Sequence, residues 1–246
     1  MSVFSLFNIT LNIISKAMKE SRFLRLIANV ILVSVCLLTC SVTFLDPNDF
    51  DTVFAPHDKG SAESDIISII FCINSEDSNV MKIARIFDEK GGLATFFVTA
   101  KWAENNGEIL SYLVDKGHEI GNHGYLNRDF SALSFSECRD EIKTAERVIE
   151  GVCGYKTRIF LPPKGKFSDS TAIACRQLGY NLIAWSKSAV ADTPDKVLLL
   201  SREARSGDVV LMSTSDVTLS VLDDILDGYI ECGFQIKSVS ENISTQ

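Results

Sequence analysis

The chain has 246 residues and a formal net charge of −8, enough for one domain of ordinary size with accessory segments. That acidic balance excludes nucleic acid as a partner and disfavours polyanions. Only three histidines are present, which bounds any chemistry that needs several imidazoles at once.

Residues 1–22 carry Lys16, Lys19 and Arg22 and lead into Phe23–Leu45, an apolar stretch whose one charged residue is Arg25. Its 23 residues suffice to cross a bilayer core of about 30 Å. Acidic residues follow it (Asp46, Asp49, Asp51), so the charge asymmetry places residues 1–22 in the cytoplasm and the remainder outside. A cleaved signal peptide, a lipoprotein signal ending at Cys40 and a buried core helix are the rival readings. The long basic lead, Thr39 before Cys40 and the length of the run favour an uncleaved single-pass anchor in a bacterial cell membrane. Residues 1–25 hold four basic side chains and one acidic, so the rest of the −8 chain stands at −11. A neutral glycan suits such a surface better than a polyanion.

Residues 46–64 are polar, contain two prolines and read as a stalk before a domain over 65–246. Ile66–Ile73 is a short apolar run of the buried-strand kind, and Val80, Ile83, Ala84 and Phe87 then form a helical stripe. Leu93–Val98 predicts a strand, Ile109–Leu113 a helix ended by Gly117, and His118–Asn122 a third strand. Ser134-Phe135-Ser136-Glu137 is a capping box that opens a helix running to Gly151. Strands are then expected at Arg158–Leu161, Asn181–Trp185, Asp208–Ser213 and Phe234–Val239, with helices near Ser170–Leu178, Lys196–Arg205 and Thr218–Cys232. This alternation specifies an α/β fold with a parallel sheet, either a barrel or an open doubly wound sheet. In both, ligands sit beyond the carboxyl ends of the strands. The five cysteines after Cys40 are widely spaced and read as small buried hydrophobes.

The loops there carry a resemblance. Ala94-Thr95-Phe96-Phe97-Val98, Gly117-His118-Glu119-Ile120-Gly121-Asn122-His123 and Leu161-Pro162-Pro163-Lys164-Gly165 occur in order, followed by Gly179-Tyr180, Trp185-Ser186 and Gly207-Asp208-Val209-Val210-Leu211. Over about residues 65–241 the chain resembles the polysaccharide deacetylase family (carbohydrate esterase family 4, the NodB homology domain). The resemblance implies a distorted (β/α) barrel with about seven parallel strands. It also implies removal of acetyl groups from glycans with a divalent metal held by one Asp and two His, an Asp base and a His acid.

Position by position, that machinery is missing. The family's paired carboxylates fall on Cys72 at the base position and Ile73 at a metal-ligand position. Its two histidine ligands fall on His123 and Asn127, its groove arginine on Leu161, and its acid on Ser213. A later Asp becomes Ser188 and an Arg becomes Val190. His118 and His123 are an odd number apart, so along a strand they point to opposite faces. The expectation is a frame without catalytic residues or cofactor, binding a cell-envelope glycan or an envelope protein through a groove of His123, Asn127, Pro163 and Trp185. The alternative is an active deacetylase in which His123 joins Glu76, Asp77 or Asp129 around a divalent ion such as zinc. Cys72 invites a nucleophile reading as well as core filling, and Trp102, Tyr125 and Trp185 suit either sugar stacking or packing.

Overall fold

The computed structural model describes residues 27, 29–34, 55–74 and 79–245. The chain divides into two units, Met1–Val53 and Phe54–Gln246. In the first, residues 27 and 29–34 are helical and exposed. Among the described residues no helix is long and apolar enough to cross a membrane. Most of the anchor expected over 23–45, the segment 1–22 and the start of the stalk lie outside the described residues.

The second unit is built around β1 (Ile66–Ile73), flanked on one side by β2 (Thr95–Val98), β3 (Glu119–Asn122), β4 (Ile159–Phe160) and β5 (Asn181–Leu182). On its other side lie β7 (Val209–Met212) and then β6 (Lys187–Ser188), while β8 (Gln235–Ile236) pairs with the start of β1. Every one of these pairings is parallel. The consecutive strands β5 and β6 sit at opposite edges of the seven-strand path, yet only residues 183–186 join them. Such a link spans at most about 18 Å, so the sheet must curl until its edges approach each other. The expected barrel is therefore a curled parallel α/β sheet, with the short strand β6 additional to those anticipated.

The seam is stitched from the amino-terminal side. His57 pairs with Ile183, donating its N–H to Leu182 O at 2.8 Å and accepting from Ala184 N at 2.9 Å. Lys59 bridges to Asp208, and Gly60 N donates to Gly207 O at 2.7 Å. The stalk thus ends earlier than its composition suggests. A polar segment looks like a linker, but main-chain hydrogen bonds to a sheet edge are indifferent to side-chain polarity.

Helices cover the outside of the sheet. They are α1 (Val80–Lys90), α2 (Ala100–Asn105), α3 (Gly107–Asp115), α4 (Phe135–Cys153), α5 (Asp169–Leu178), α6 (Pro194–Ser201), α7 (Asp216–Leu219) and α8 (Leu222–Glu231). The α1 stripe is buried as expected, and the Ser134–Glu137 capping box opens α4. The helix expected over Thr218–Cys232 is two, α7 and α8, meeting at Ser220–Val221. The last expected strand stops at Ile236, because Ser238 and Glu241 form a further capping box that starts α9 (Val239–Ile243).

Helix α9 plugs the amino-terminal end of the curl. Thr95 Oγ1 accepts from Val239 N at 3.0 Å and donates to Glu119 at 2.9 Å, and Glu119 also accepts from Ser240 N at 3.2 Å. Burial raises the Glu119 carboxyl above its ordinary range, and these donors pull it back. Val239 and Ile243 join Ile70, Phe97, Ile159, Leu161, Ile183 and Val209 in an interior cluster, distinct from the larger core between sheet and helices. Each such side chain contributes about 1.5–3 kcal/mol when buried.

Candidate functional site at the mouth of the curled sheet

Strand alternation decides which side chains reach the mouth at the carboxyl ends of the strands. Ile70 and Cys72 face the interior cluster, whereas Phe71 and Ile73 are fully buried in the outer core. The base position is therefore at the mouth, but the neighbouring ligand position packs under the helices. On β3, Gly121 and His123 share the interior face. Phe97 pairs with Gly121 and lays its ring where a Cβ would stand, so only glycine fits. Asn122 is structural: it accepts from Gly124 N at 2.8 Å and donates to Ile142 O at 2.9 Å and to the Tyr180 hydroxyl at 3.4 Å. This fixes the turn that aims His123.

His123 is buried, and its Nδ1 lies 2.6 Å from Leu161 O. A carbonyl only accepts, so Nδ1 carries the proton and Nε2 the lone pair. Desolvation drives the imidazole pKa down to about 4, so it is neutral at pH 7. Desolvation also pushes the Cys72 thiol up to about 12. No described residue forms a hydrogen bond that would deprotonate it. A nucleophilic cysteine needs the opposite shift, so the surroundings of Cys72 favour core filling, and it lines the interior. His118 lies elsewhere, edge-on to Phe87 and Phe96 with Nε2 3.4 Å from Asp88, as its opposite parity predicts.

The other candidates scatter around the rim. Asn127 is exposed on a loop that Arg128 clamps to α4 through Glu137 and Glu141, both at 3.2 Å. Ser213 bonds Ser215 and Thr218 hydroxyls, both at 2.8 Å, which ties it into the N-cap of α7. Ser188 and Val190 are exposed. Asp129 caps a short turn and faces Lys166 at 3.5 Å. Glu76 and Asp77 lie outside the described residues. Among the described residues no three His, Cys, Asp or Glu side chains gather as a metal site. The family's metal does not fit the residues described: of its three ligand positions only His123 offers a donor atom at the mouth.

Pro163 is buried, and Trp185 packs on the Pro162–Gly165 turn. Gly165 has φ +66°, and a Cβ there would lie 2.5 Å from the indole. Gly165→Ala is expected to cost about 2 kcal/mol and dislodge Trp185. Acrylamide quenching of tryptophan emission would report it, since Trp102 stays buried. Leu211, not singled out in the sequence, completes the floor with Cys72 and Trp185. Its alternation with Val209 was the available signal.

Comparison with known proteins agrees with this geometry. YlxY, an uncharacterized protein of Bacillus subtilis (strain 168), is 26% identical over 190 residues, 74% of this chain and 59% of that protein. The peptidoglycan-N-acetylmuramic acid deacetylase PdaA of the same organism is 24% identical over 191 residues, covering 74% of this chain and 73% of that one. In structure, the chain is similar to BA3943, a CE4 family pseudoenzyme from Bacillus anthracis, with a TM-score of 0.74 and 25% identity over 79% of this chain and 71% of that one. A family 4 carbohydrate esterase from Bacillus anthracis gives a TM-score of 0.69 and 26% identity, covering 81% of this chain and 92% of that one. Residues 59–183 match the Polysaccharide deacetylase family, and with the curled parallel sheet and its ordered loop motifs this means that the chain belongs to that family.

Proposed function

We propose that this protein is a polysaccharide deacetylase-like domain without hydrolytic activity, held outside the cell membrane by residues 23–45, that binds a neutral envelope glycan at the mouth. The observation that carries the loss of activity is the pair at the end of β1. A protonated, desolvated thiol stands where a base is needed, and a buried Ile73 where a metal needs a carboxylate. Asn127 and Ser213 leave the second histidine ligand and the acid without substitutes. BA3943 supports the reading as a precedent within the family, and a mutant of it is described as a pseudoenzyme with restored enzymatic activity. The glycan reading draws on the family and on the half-buried aromatic side chain of Trp185 beside the Pro162–Gly165 turn. The anchor rests on the apolar run and the charges around it.

Titration of the full chain in detergent with zinc, cobalt and manganese is expected to show no binding at millimolar ion. Incubation with acetylated peptidoglycan and chitin oligomers should release no acetate. Metal binding that disappears in His123→Ala, together with acetate release, would overturn the inactive reading in favour of a rebuilt centre.

A further inference from the structure

A cavity of about 730 Å³ opens in the helical layer between α6 and α8. Phe234 in its wall leads into β8, which pairs with the start of β1, so the cavity lies away from the mouth. Its floor is apolar: Leu198 from α6, Ile225 from α8, and Tyr229 and Phe234, whose rings meet edge to face at 6.3 Å. The Tyr229 hydroxyl donates to Ser201 O at 2.8 Å and ties the two helices together beneath it. Charge on the rim is unbalanced. Asp224, Asp227 and Glu231 fall at i, i+3 and i+7 along α8, against Arg202 alone. Lys90 answers Asp227 at 2.7 Å, and among the described residues no ion pair engages Asp224 or Glu231. Neither helix carries a basic residue in its last turn, so both carbonyl ends add negative potential there.

We propose that this groove docks a basic, amphipathic segment of a partner protein. Its apolar side chains seat on the floor, and a Lys or Arg at each end meets Asp224 and Glu231. The inference goes beyond the glycan reading and does not depend on it. Those two carboxylates stand two helical turns apart, about 10 Å, which three residues of extended chain span. Both are exposed, so they meet a cation without a large desolvation cost. An acidic segment would face like charge, which excludes it. The apolar surface also continues past the cavity. Leu199 and Ile230, 63% and 44% exposed, stand beside lining residues on the same two helices. A small organic cation would leave them in water, whereas a polypeptide covers them and excludes water from the charges.

The exposed Cys232 lines the cavity and supplies the readout. The full chain in neutral detergent is alkylated with iodoacetamide, and peptide mass spectrometry follows the rate at Cys232. The peptide acetyl-Lys-Leu-Phe-Lys-amide at millimolar concentration is expected to slow that rate about threefold or more. Acetyl-Glu-Leu-Phe-Glu-amide and acetyl-Lys-Gly-Gly-Lys-amide should leave it unchanged. Asp224→Asn combined with Glu231→Gln should abolish the protection, and because both side chains are exposed the fold is retained. Protection that survives in this variant, or that the acidic peptide gives equally, would overturn the proposal by showing that charge plays no part. Equal protection by the glycine peptide would overturn it in favour of a site for small cations. No protection by any of the three would overturn it outright.

Discussion

Ile73→Asp, the substitution that rewrites half of the missing carboxylate pair, is expected to destabilise the fold by about 4 kcal/mol and to recover no metal binding. Ile73 has no exposed surface and packs in the core between the sheet and the helices, with Phe71 on the same face of β1. Its carbonyl accepts from Thr99 N at 3.0 Å, which pins the strand end and its parity. A carboxylate there loses the transfer free energy of a buried Ile and adds an unpaired polar group. Ile73→Val is the control: it removes one methyl and should cost about 1 kcal/mol. Guanidinium unfolding measures both, and a zinc titration of the Asp variant under folding conditions measures the second claim. A loss under about 1 kcal/mol, with zinc bound, would mean that the strand end turns readily towards the mouth and that recovery of the site is one step away.

Acidification from pH 7 to pH 4 is expected to remove stability through His123. The folded imidazole titrates at about 4, against 6.5 in an unfolded chain. In that interval the unfolded state binds the proton and the folded state does not, so the stabilisation present above 6.5 is lost as the pH falls towards 4. A difference of two and a half pKa units corresponds to about 3 kcal/mol once both forms are protonated. His118, also lowered by burial, acts in the same sense. Glu119, raised by burial, acts in the opposite one. The contribution of His123 is therefore the difference between the unmodified protein and His123→Gln, whose side-chain amide keeps a donor for Leu161 and does not titrate. Denaturant unfolding at pH 7, 5.5 and 4 should show the two curves converging as the pH falls. Parallel curves would mean that water reaches His123 in the folded state.

The frame was legible because its signals are local. The α1 stripe, the Ser134–Glu137 box and the apolar runs at β1, β2 and β3 state their periods within a few residues, and all appear in the structure. The scarcity of histidines was legible for a similar reason, since a residue count is indifferent to folding. The elements missed are the short ones. Two-residue β6 carries no alternation, α2 is six residues long, and α9 depends on a capping box at Ser238–Glu241 hidden behind an apolar run. His57 and Lys59 were unreadable as sheet partners because edge pairing runs through the backbone.

The retained motif residues also divide in the structure in a way that their spelling does not reveal. Gly121 is held by the Phe97 ring, Asn122 by the turn it bonds, Thr95 and Glu119 by α9, and Gly165 by Trp185. Apart from the Asn122–Gly124 turn, each of these contacts joins segments distant in the chain, so each would persist whether or not the site performs chemistry. The amino-acid order alone determined the family, the alternating α/β pattern and the small number of histidines, because these depend on local period and on which residue types are present. Only the tertiary structure decided that Cys72 faces the mouth while Ile73 does not, that His123 donates its Nδ1 proton to Leu161 O, and that a polar segment closes the seam. Those outcomes depend on which face of a strand meets which neighbour, and strand alternation converts a one-residue step into opposite surroundings.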